Sequence, residues 1–249
     1  MPSYQYETLI VEQTGKVLTI TLNRPESLNA VNEVMHHEIE DAFYQVGRDP
    51  DVSAVVLTGA GRGFCSGGDV RAMDERGGAI ALQDRPIGAI SPSGRRIVQN
   101  ILWVEQPVIC ALNGVAAGLG ATLALFCDII YASDQARIGD THVRAGLVAG
   151  DGGAVIWPLL AERIGLVNRV VPHDDLMDTV MELAQRLANG PALAIRGTKH
   201  AINKKVWNDL NQALDLGLSL EARSARHPDH AEAARAFVEK RAPQYKGTI

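Results

Sequence analysis

The spacing of apolar residues changes period several times along the chain. Residues 8–11 and 17–22 are short β-rich runs separated by Gln13-Thr14-Gly15, which predicts a hairpin. Asn23-Arg24-Pro25-Glu26-Ser27 predicts a turn. From Asn32 to about Val46 the spacing becomes helical, with Val34, Met35, Ile39, Ala42, Phe43 and Val46 recurring and Asn32 placed as the N-cap. A strand at 54–58 follows, then a glycine-rich turn. Residues 74–94 contain Gly77-Gly78, Pro86, Gly88, Pro92 and Gly94 and predict a loop, either a lid or a plain surface excursion. A helix over 94–103 precedes a strand over 107–112, a second glycine-rich turn, a helix to about Phe126 and a strand over 128–132. Strands alternating with helices predict an α/β fold with a largely parallel sheet.

From Asp174 onward the pattern is helical throughout. Met177, Val180, Met181, Ala184 and Leu187 recur at helical spacing until Asn189-Gly190-Pro191 stops the run. Two further helices are predicted over 192–205 and 208–226, the second carrying Leu210, Ala213, Leu214, Gly217, Leu218 and Glu221 on one face. His227-Pro228-Asp229 breaks it before a last helix over 230–241. The change in pattern divides the chain into an α/β core over 1–165 and a helical region over 166–249.

Composition narrows the class. The 249 residues are 46% hydrophobic and 21% charged, which suits a globular protein with a sizeable core. Aromatics are only 5%, so Ala, Val, Leu and Ile fill that core. A net charge of −5 provides no global basic field for nucleic acid. Cys65, Cys110 and Cys127 are an odd number in apolar or glycine-rich surroundings, without metal-ligand spacing. They are expected to be reduced core residues of a cytoplasmic protein. No leader peptide is apparent, and no apolar run approaches the roughly 20 residues of a membrane span.

Two glycine-rich turns carry the candidate chemistry. One is Arg62-Gly63-Phe64-Cys65-Ser66-Gly67-Gly68-Asp69; the other is Asn113-Gly114-Val115-Ala116-Ala117-Gly118-Leu119-Gly120. Each follows an apolar run and leads into a helical pattern. A strand, a tight turn and a helix start leave backbone N–H groups without intrahelical partners. Two such groups aimed at one point stabilise an oxyanion, which activates a carbonyl without a catalytic side chain. The plainer alternative is that the glycines only form tight turns. Thr58-Gly59-Ala60-Gly61-Arg62-Gly63-Phe64 superficially suggests a dinucleotide loop, but the third glycine of that fingerprint falls on Phe64.

The two turns, in this order, resemble the signature of the crotonase (enoyl-CoA hydratase/isomerase) superfamily. Leu22-Asn23-Arg24-Pro25, Leu28-Asn29-Ala30, Phe126-Cys127-Asp128-Ile129, Gly150-Asp151-Gly152-Gly153 and Ile164-Gly165-Leu166-Val167-Asn168 extend the similarity over nearly the whole chain. The resemblance implies a ββα spiral core with a C-terminal helical trimerisation region, and a homotrimer or dimer of trimers. It implies binding of an acyl-CoA thioester and stabilisation of its enolate. Coenzyme A would be part of the substrate, and no separate cofactor, metal, nucleic acid or membrane is expected. By position, the amides of Gly68 and Leu119 would form the oxyanion hole. The Ser66 carbonyl would read the adenine amino group, and Ser27, Leu28 and Ala30 would contact the nucleotide or pantetheine arm. Asp69 is expected to cap the following helix more than to do chemistry.

The chain departs from the family at two positions where hydratases place glutamates. The first is Thr122 and the second is His142. Threonine has no useful pKa, so Thr122 hydrogen-bonds or packs. General acid–base groups contribute about 10²–10⁴-fold each, so efficient hydration is not expected. What remains is His142 with Asp151, nine residues later. A His–Asp pair is a usable base with its orienting partner, and a loop over 143–150 would return Asp151 beside His142. The segment from His142 to Pro158 resembles the crotonase-fold β-diketone hydrolases, which use a His–Asp pair for carbon–carbon cleavage. The plainer reading makes Asp151 a helix cap and His142 a pocket lining. Asp140 and Arg144 are expected in salt bridges, and the remaining histidines, His36 among them, are assigned no role.

Trp157-Pro158-Leu159-Leu160 also passes almost at once into Ala161-Glu162-Arg163-Ile164, where the family normally inserts a further helix and loop. Either the gene carries a deletion or the segment is present in the protein and unresolved; the intact flanks favour the second. Three functions follow in order of preference. The first is a crotonase-fold enzyme acting on an acyl-CoA through an enolate, hydratase/isomerase-like and more suited to isomerisation than hydration. The second is a C–C hydrolase of a 1,3-dicarbonyl compound using His142 and Asp151. The third is a non-catalytic acyl-CoA-binding or RNA-binding paralogue, with the acidic balance against RNA.

Overall fold

The computed structural model describes residues 4–75, 92–154, 156–157 and 167–245. Strands β1 (Leu9–Thr14) and β2 (Val17–Leu22) form the expected antiparallel hairpin, with Gly15 at φ +61° in its two-residue turn. Helix α1 (Glu33–Val46) begins at Asn32, whose side chain accepts a hydrogen bond from the Met35 amide, as the spacing predicts. Strands β3 (Ala54–Gly59), β4 (Gly63–Cys65), β5 (Val108–Leu112), β6 (Val115–Ala117), β7 (Ile129–Ser133), β8 (Arg137–Gly139) and β9 (Arg169–Val171) complete two sheets. The larger has the order β1-β2-β3-β5-β7-β9 and is parallel from β2 onward. The smaller is parallel, in the order β4-β6-β8.

Alternation along the central strands divides the core in two. Val55 and Leu57 of β3, with Val108, Cys110 and Leu112 of β5, face a large cluster that includes Met35, Ile39 and Phe43 of α1. Ala54, Val56, Ile109 and Ala111 face the other way. There they meet Leu176, Val180, Leu183, Ala184 and Ala188 of α5 (Leu176–Ala188). The segment after residue 166 therefore supplies both an edge strand and the helix that covers one face of the main sheet. Cys65, Cys110 and Cys127 are buried free thiols. No helix among the described residues is long and apolar enough to cross a membrane.

Helices α2 (Val70–Glu75), α3 (Pro92–Trp103) and α4 (Leu119–Leu125) follow the two glycine turns and their connection. The loop expected over 74–94 is helical at both flanks, and its residues 76–91 lie outside the described residues. One expectation is corrected. The two helices read over 192–205 and 208–226 are a single 33-residue helix, α6 (Ala192–Ser224). Val206 and Trp207 are not helix breakers, so the i→i+4 ladder runs through them. The last helix, α7 (Pro228–Val238), starts two residues earlier than expected because His227 caps it, accepting from the Asp229 amide.

The two glycine turns are packed backbone to backbone. A Cβ added to Gly120 would lie 2.1 Å from the Cys65 carbonyl oxygen, and one added to Gly67 (φ +92°) would lie 2.7 Å from the Ala117 carbonyl oxygen. Gly120→Ala is expected to cost about 1–3 kcal/mol through overpacking. That loss would be read as a lower urea midpoint at unchanged m-value.

Candidate active site

Three parallel strands of the small sheet end on one edge, and each delivers a turn there. After β4 comes 66–69, after β6 comes 118–119, and after β8 comes 140–142. Ligands of parallel α/β sheets gather outside the carboxyl ends of the strands. The first turn is anchored to Val31, whose amide donates to the Gly67 carbonyl at 2.7 Å and whose carbonyl accepts from the Asp69 amide at 3.0 Å. The second is anchored by the Gly118 amide, which donates to the Gly139 carbonyl at 3.3 Å. Gly118 is held at φ +50° as the residue before α4. Among the described residues, nothing accepts a hydrogen bond from the amides of Gly68 or Leu119.

The 24–31 turn packs beside the first glycine turn. Leu28 and Asn29 both adopt positive φ. The buried Asn29 amide group donates to the carbonyls of Ala60, Gly63 and Phe64, which fixes the turn against β4. The Ser66 amide donates to the Leu28 carbonyl and its hydroxyl to the Ser27 carbonyl, so Ser27, Leu28 and Ser66 share one locality. Arg24 reaches the Ala30 carbonyl and the Asp69 carboxylate, at 3.0 Å for the latter. The other Asp69 oxygen accepts from the Ala72 amide, consistent with a cap at the start of α2.

His142 and Asp151 meet. A 3₁₀ turn over Val143–Ala145 and a left-handed Gly146 reverse the chain, and the Leu147 amide returns to the His142 carbonyl. The two side chains are both buried, with His142 Nε2 3.1 Å from Asp151 Oδ2, though without the alignment of a hydrogen bond. The other ring nitrogen, Nδ1, lies 3.0 Å from Asp140 Oδ1. Asp140 thus pairs with His142, while Arg144 is exposed. Asp151 Oδ1 accepts from the Thr122 hydroxyl and from the Gly153 amide, each at 3.1 Å. The cap-like contact and the histidine contact are made by different oxygens of one carboxylate. The fully buried Thr122 holds that carboxylate where a glutamate was expected from the family. The imidazole sits over the second glycine turn: a Cβ on Gly118 would be 3.7 Å from His142 Cε1 and 3.8 Å from Nε2.

Burial alone would lower the pKa of His142. The close approach and charge of Asp151, with the charges of Glu221 and Asp140, overcome it and hold the ring at about 10. Burial, with the charges of Asp151 and Asp140 against that of His142, raises Glu221 of α6 above the usual carboxylate range. The site at neutral pH is therefore an imidazolium among carboxyl groups. The folded protein holds the His142 proton more tightly than the unfolded chain does. Its contribution to stability is complete below about pH 6.5 and is lost as pH rises through about 10. The thermal midpoint is expected to fall across that window, and His142→Gln to flatten the fall in melts followed by circular dichroism.

These features resemble a known family at the level of the whole chain. The enoyl-CoA hydratase/isomerase family model matches residues 12–160 and 159–248. The chain belongs to the enoyl-CoA hydratase/isomerase family, within the crotonase superfamily. It is 37% identical over 253 residues to a 1,2-epoxyphenylacetyl-CoA isomerase of Escherichia coli, covering 93% of this chain and 95% of that one. It is 33% identical over 258 residues to a short-chain-enoyl-CoA hydratase of Clostridium acetobutylicum, covering 95% and 97%. The crystal structure of an enoyl-CoA hydratase/isomerase from Mycobacterium paratuberculosis superposes with a TM-score of 0.85 at 33% identity, over 93% of this chain and 99% of that one.

The family match restarts at residue 159 after ending at 160, where the helix and loop were missing. The sequence runs without a break through all 249 residues, so the expectation of an unresolved segment is corrected: the polypeptide itself is shorter there. Residues 158–166 lie outside the described residues. Sequence reasoning missed two groups of this family member's site. Glu221 was read as part of an apolar helix face, and a carboxylate on such a stripe is itself a signal of a buried polar role. His36, assigned no role, lies within electrostatic reach of Asp151, and burial together with His37 lowers its pKa to about 4.

Proposed function

We propose that this chain is an acyl-CoA enzyme that works through a thioester enolate and catalyses isomerisation in preference to hydration. The observation that carries this reading is the buried His142–Asp151 pair over the second glycine turn. The thioester oxygen would lie between the amides of Gly68 and Leu119, which are unclaimed by described neighbours and sit next to a helix start. With His142 already protonated, Asp151 is the group able to accept the α-proton. Returning that proton to the γ-carbon shifts a 3,4 double bond to the 2,3 position with no net change in atoms. Ser27, Leu28, Ala30, Ser66 and Asp69 line the candidate coenzyme A arm, with coenzyme A entering as part of the substrate.

The same His–Asp pair also favours a second reading, hydrolysis of a 1,3-dicarbonyl compound with His142 as the base for water. That reading requires a neutral imidazole, so its rate would climb toward the His142 pKa of about 10. A non-catalytic acyl-CoA-binding paralogue is the third. A turnover screen against 3-enoyl-CoAs, crotonyl-CoA and cyclic β-diketones separates them. The expected result is 3-enoyl-CoA isomerisation with little hydration of crotonyl-CoA; turnover of the β-diketones alone would overturn it, as would coenzyme A binding without turnover of any substrate. A cytoplasmic homotrimer or dimer of trimers remains part of this proposal. Exposed Leu193, Ile202, Leu216 and Phe237 on the C-terminal helices support self-association. Light scattering after size exclusion measures it.

A further inference from the structure

We propose that Asp140 is a positioning residue that, with Asp151, clamps His142 as an imidazolium and so makes His142 the acid and Asp151 the base of the site. This rests on the reading of His142 and Asp151 as the proton-handling pair.

The inference comes from geometry. Asp140 Oδ1 accepts from the His142 backbone amide at 2.9 Å and faces the ring Nδ1 at 3.0 Å. A single oxygen therefore fixes both the backbone and the ring of the residue two positions later. On the opposite side, Nε2 faces Asp151 Oδ2 at 3.1 Å. A neutral imidazole carries one N–H and one lone pair. With the proton on Nε2 alone, the Nδ1 lone pair would be set against Asp140 Oδ1, which is repulsive; with the proton on Nδ1 alone, a neutral Nε2 would lie beside the Asp151 carboxylate without the attraction a charged ring provides. The ring with both nitrogens protonated places its positive charge between both carboxylates. Among the described residues, the remaining charged or titratable groups around the pair are Glu221 from α6, whose charge acts on His142 and Asp151, and His36 from α1, within electrostatic reach of Asp151. Thr122 from α4 adds a neutral donor to Asp151 Oδ1. Neither Glu221 nor His36 is within ion-pair distance of a His142 nitrogen, so Asp140 and Asp151 are the partners that decide its state.

The consequence is a division of labour. The imidazolium over Gly118 is a fixed positive charge beside the turn that presents Leu119, suited to support a developing enolate next to Asp151 as the proton acceptor. Asp140 touches neither substrate nor reacting atom in this arrangement and acts through His142.

The test is the ring protonation of His142 followed by long-range ¹H–¹⁵N correlation spectra of the full chain, in wild type and in Asp140→Asn and Asp140→Ser. Both variants retain an oxygen able to accept from the His142 amide but remove the charge facing Nδ1. The expected wild-type result is two imidazolium-type nitrogens at pH 7.5. In either variant the titration midpoint is expected to drop by about one to three pH units. The alkaline limb of kcat on a 3-enoyl-CoA should move down with it, while KM changes little. A wild-type ring with one neutral nitrogen at pH 7.5 overturns the proposal, as does a midpoint unmoved in whichever variant folds. The spectra require no substrate. A confirmed clamp in a protein that turns over no acyl-CoA would leave the clamp itself standing and remove the acid and base roles with the functional reading beneath them.

Discussion

Replacing Asp151 with Asn is expected to lower kcat on a 3-enoyl-CoA by about 10²–10⁴-fold, the usual contribution of a general base. The fold should survive, because the amide oxygen of Asn still accepts from the Thr122 hydroxyl and the Gly153 amide, the two contacts that hold Oδ1. What disappears is the charge facing His142 Nε2 and the group able to take a proton. Two changes therefore accompany the loss of rate. KM is expected to stay near wild type, since the proposed coenzyme A locality around Ser27, Leu28 and Ser66 is untouched. His142 also titrates lower, with one carboxylate left beside it. Thr122→Val provides a graded comparison: it removes one donor to Asp151 but neither charge, and its loss should be smaller. Steady-state kinetics with a parallel thermal melt check all of this. Unchanged turnover in folded Asp151→Asn would remove Asp151 from the chemistry and return it to a capping role.

The second large effect concerns a backbone atom. Leu119 is the first residue of α4. Proline is tolerated at that position because its fixed φ suits the helix start and the missing N–H has no intrahelical acceptor. Leu119→Pro therefore deletes a candidate oxyanion donor with little demand on the helix. The expected loss in kcat is about 10²–10³-fold, that of removing one oxyanion-hole donor. Leu119→Ala, which keeps the N–H, should remain close to wild type in kcat. Coenzyme A binding by calorimetry should be similar in both, since the affected group is used at the reacting carbonyl. Equal losses in the proline and alanine variants would mean that the side chain, not the amide, matters at this position.

The elements with a clear period were legible in the sequence. The hairpin, α1 with its Asn32 cap and the buried strands over 54–59 and 108–112 follow from spacing and turn chemistry. The long helix α6 was not, because the buried side of its first half is marked by the polar Lys199 and Asn203 rather than by apolar residues, although no residue at Val206-Trp207 stops a helix. The His142–Asp151 pair was legible for a local reason: the intervening residues hold Gly146 and Gly150 and are short enough to fold back on themselves. The role of Thr122 as the holder of Asp151 depended on α4 packing against the 151 turn, a tertiary fact that no spacing encodes. Glu221 and His36 escaped for the same reason, being seventy and more residues from the carboxylate whose charge they feel. Asp140 was visible as a polar candidate. Its partner was not, since histidine two residues on and arginine four residues on were equally available.

The proposed chemistry has Asp151 remove a proton next to a thioester carbonyl held by two backbone amides. Incubating the protein with a 3-enoyl-CoA deuterated at the α-carbon and following that carbon by NMR measures that step directly. Wild type is expected to remove deuterium from the α-position, to the γ-carbon or to solvent, and Asp151→Asn to leave it in place over the same interval; equal removal by both proteins, or none by wild type, would contradict the assignment.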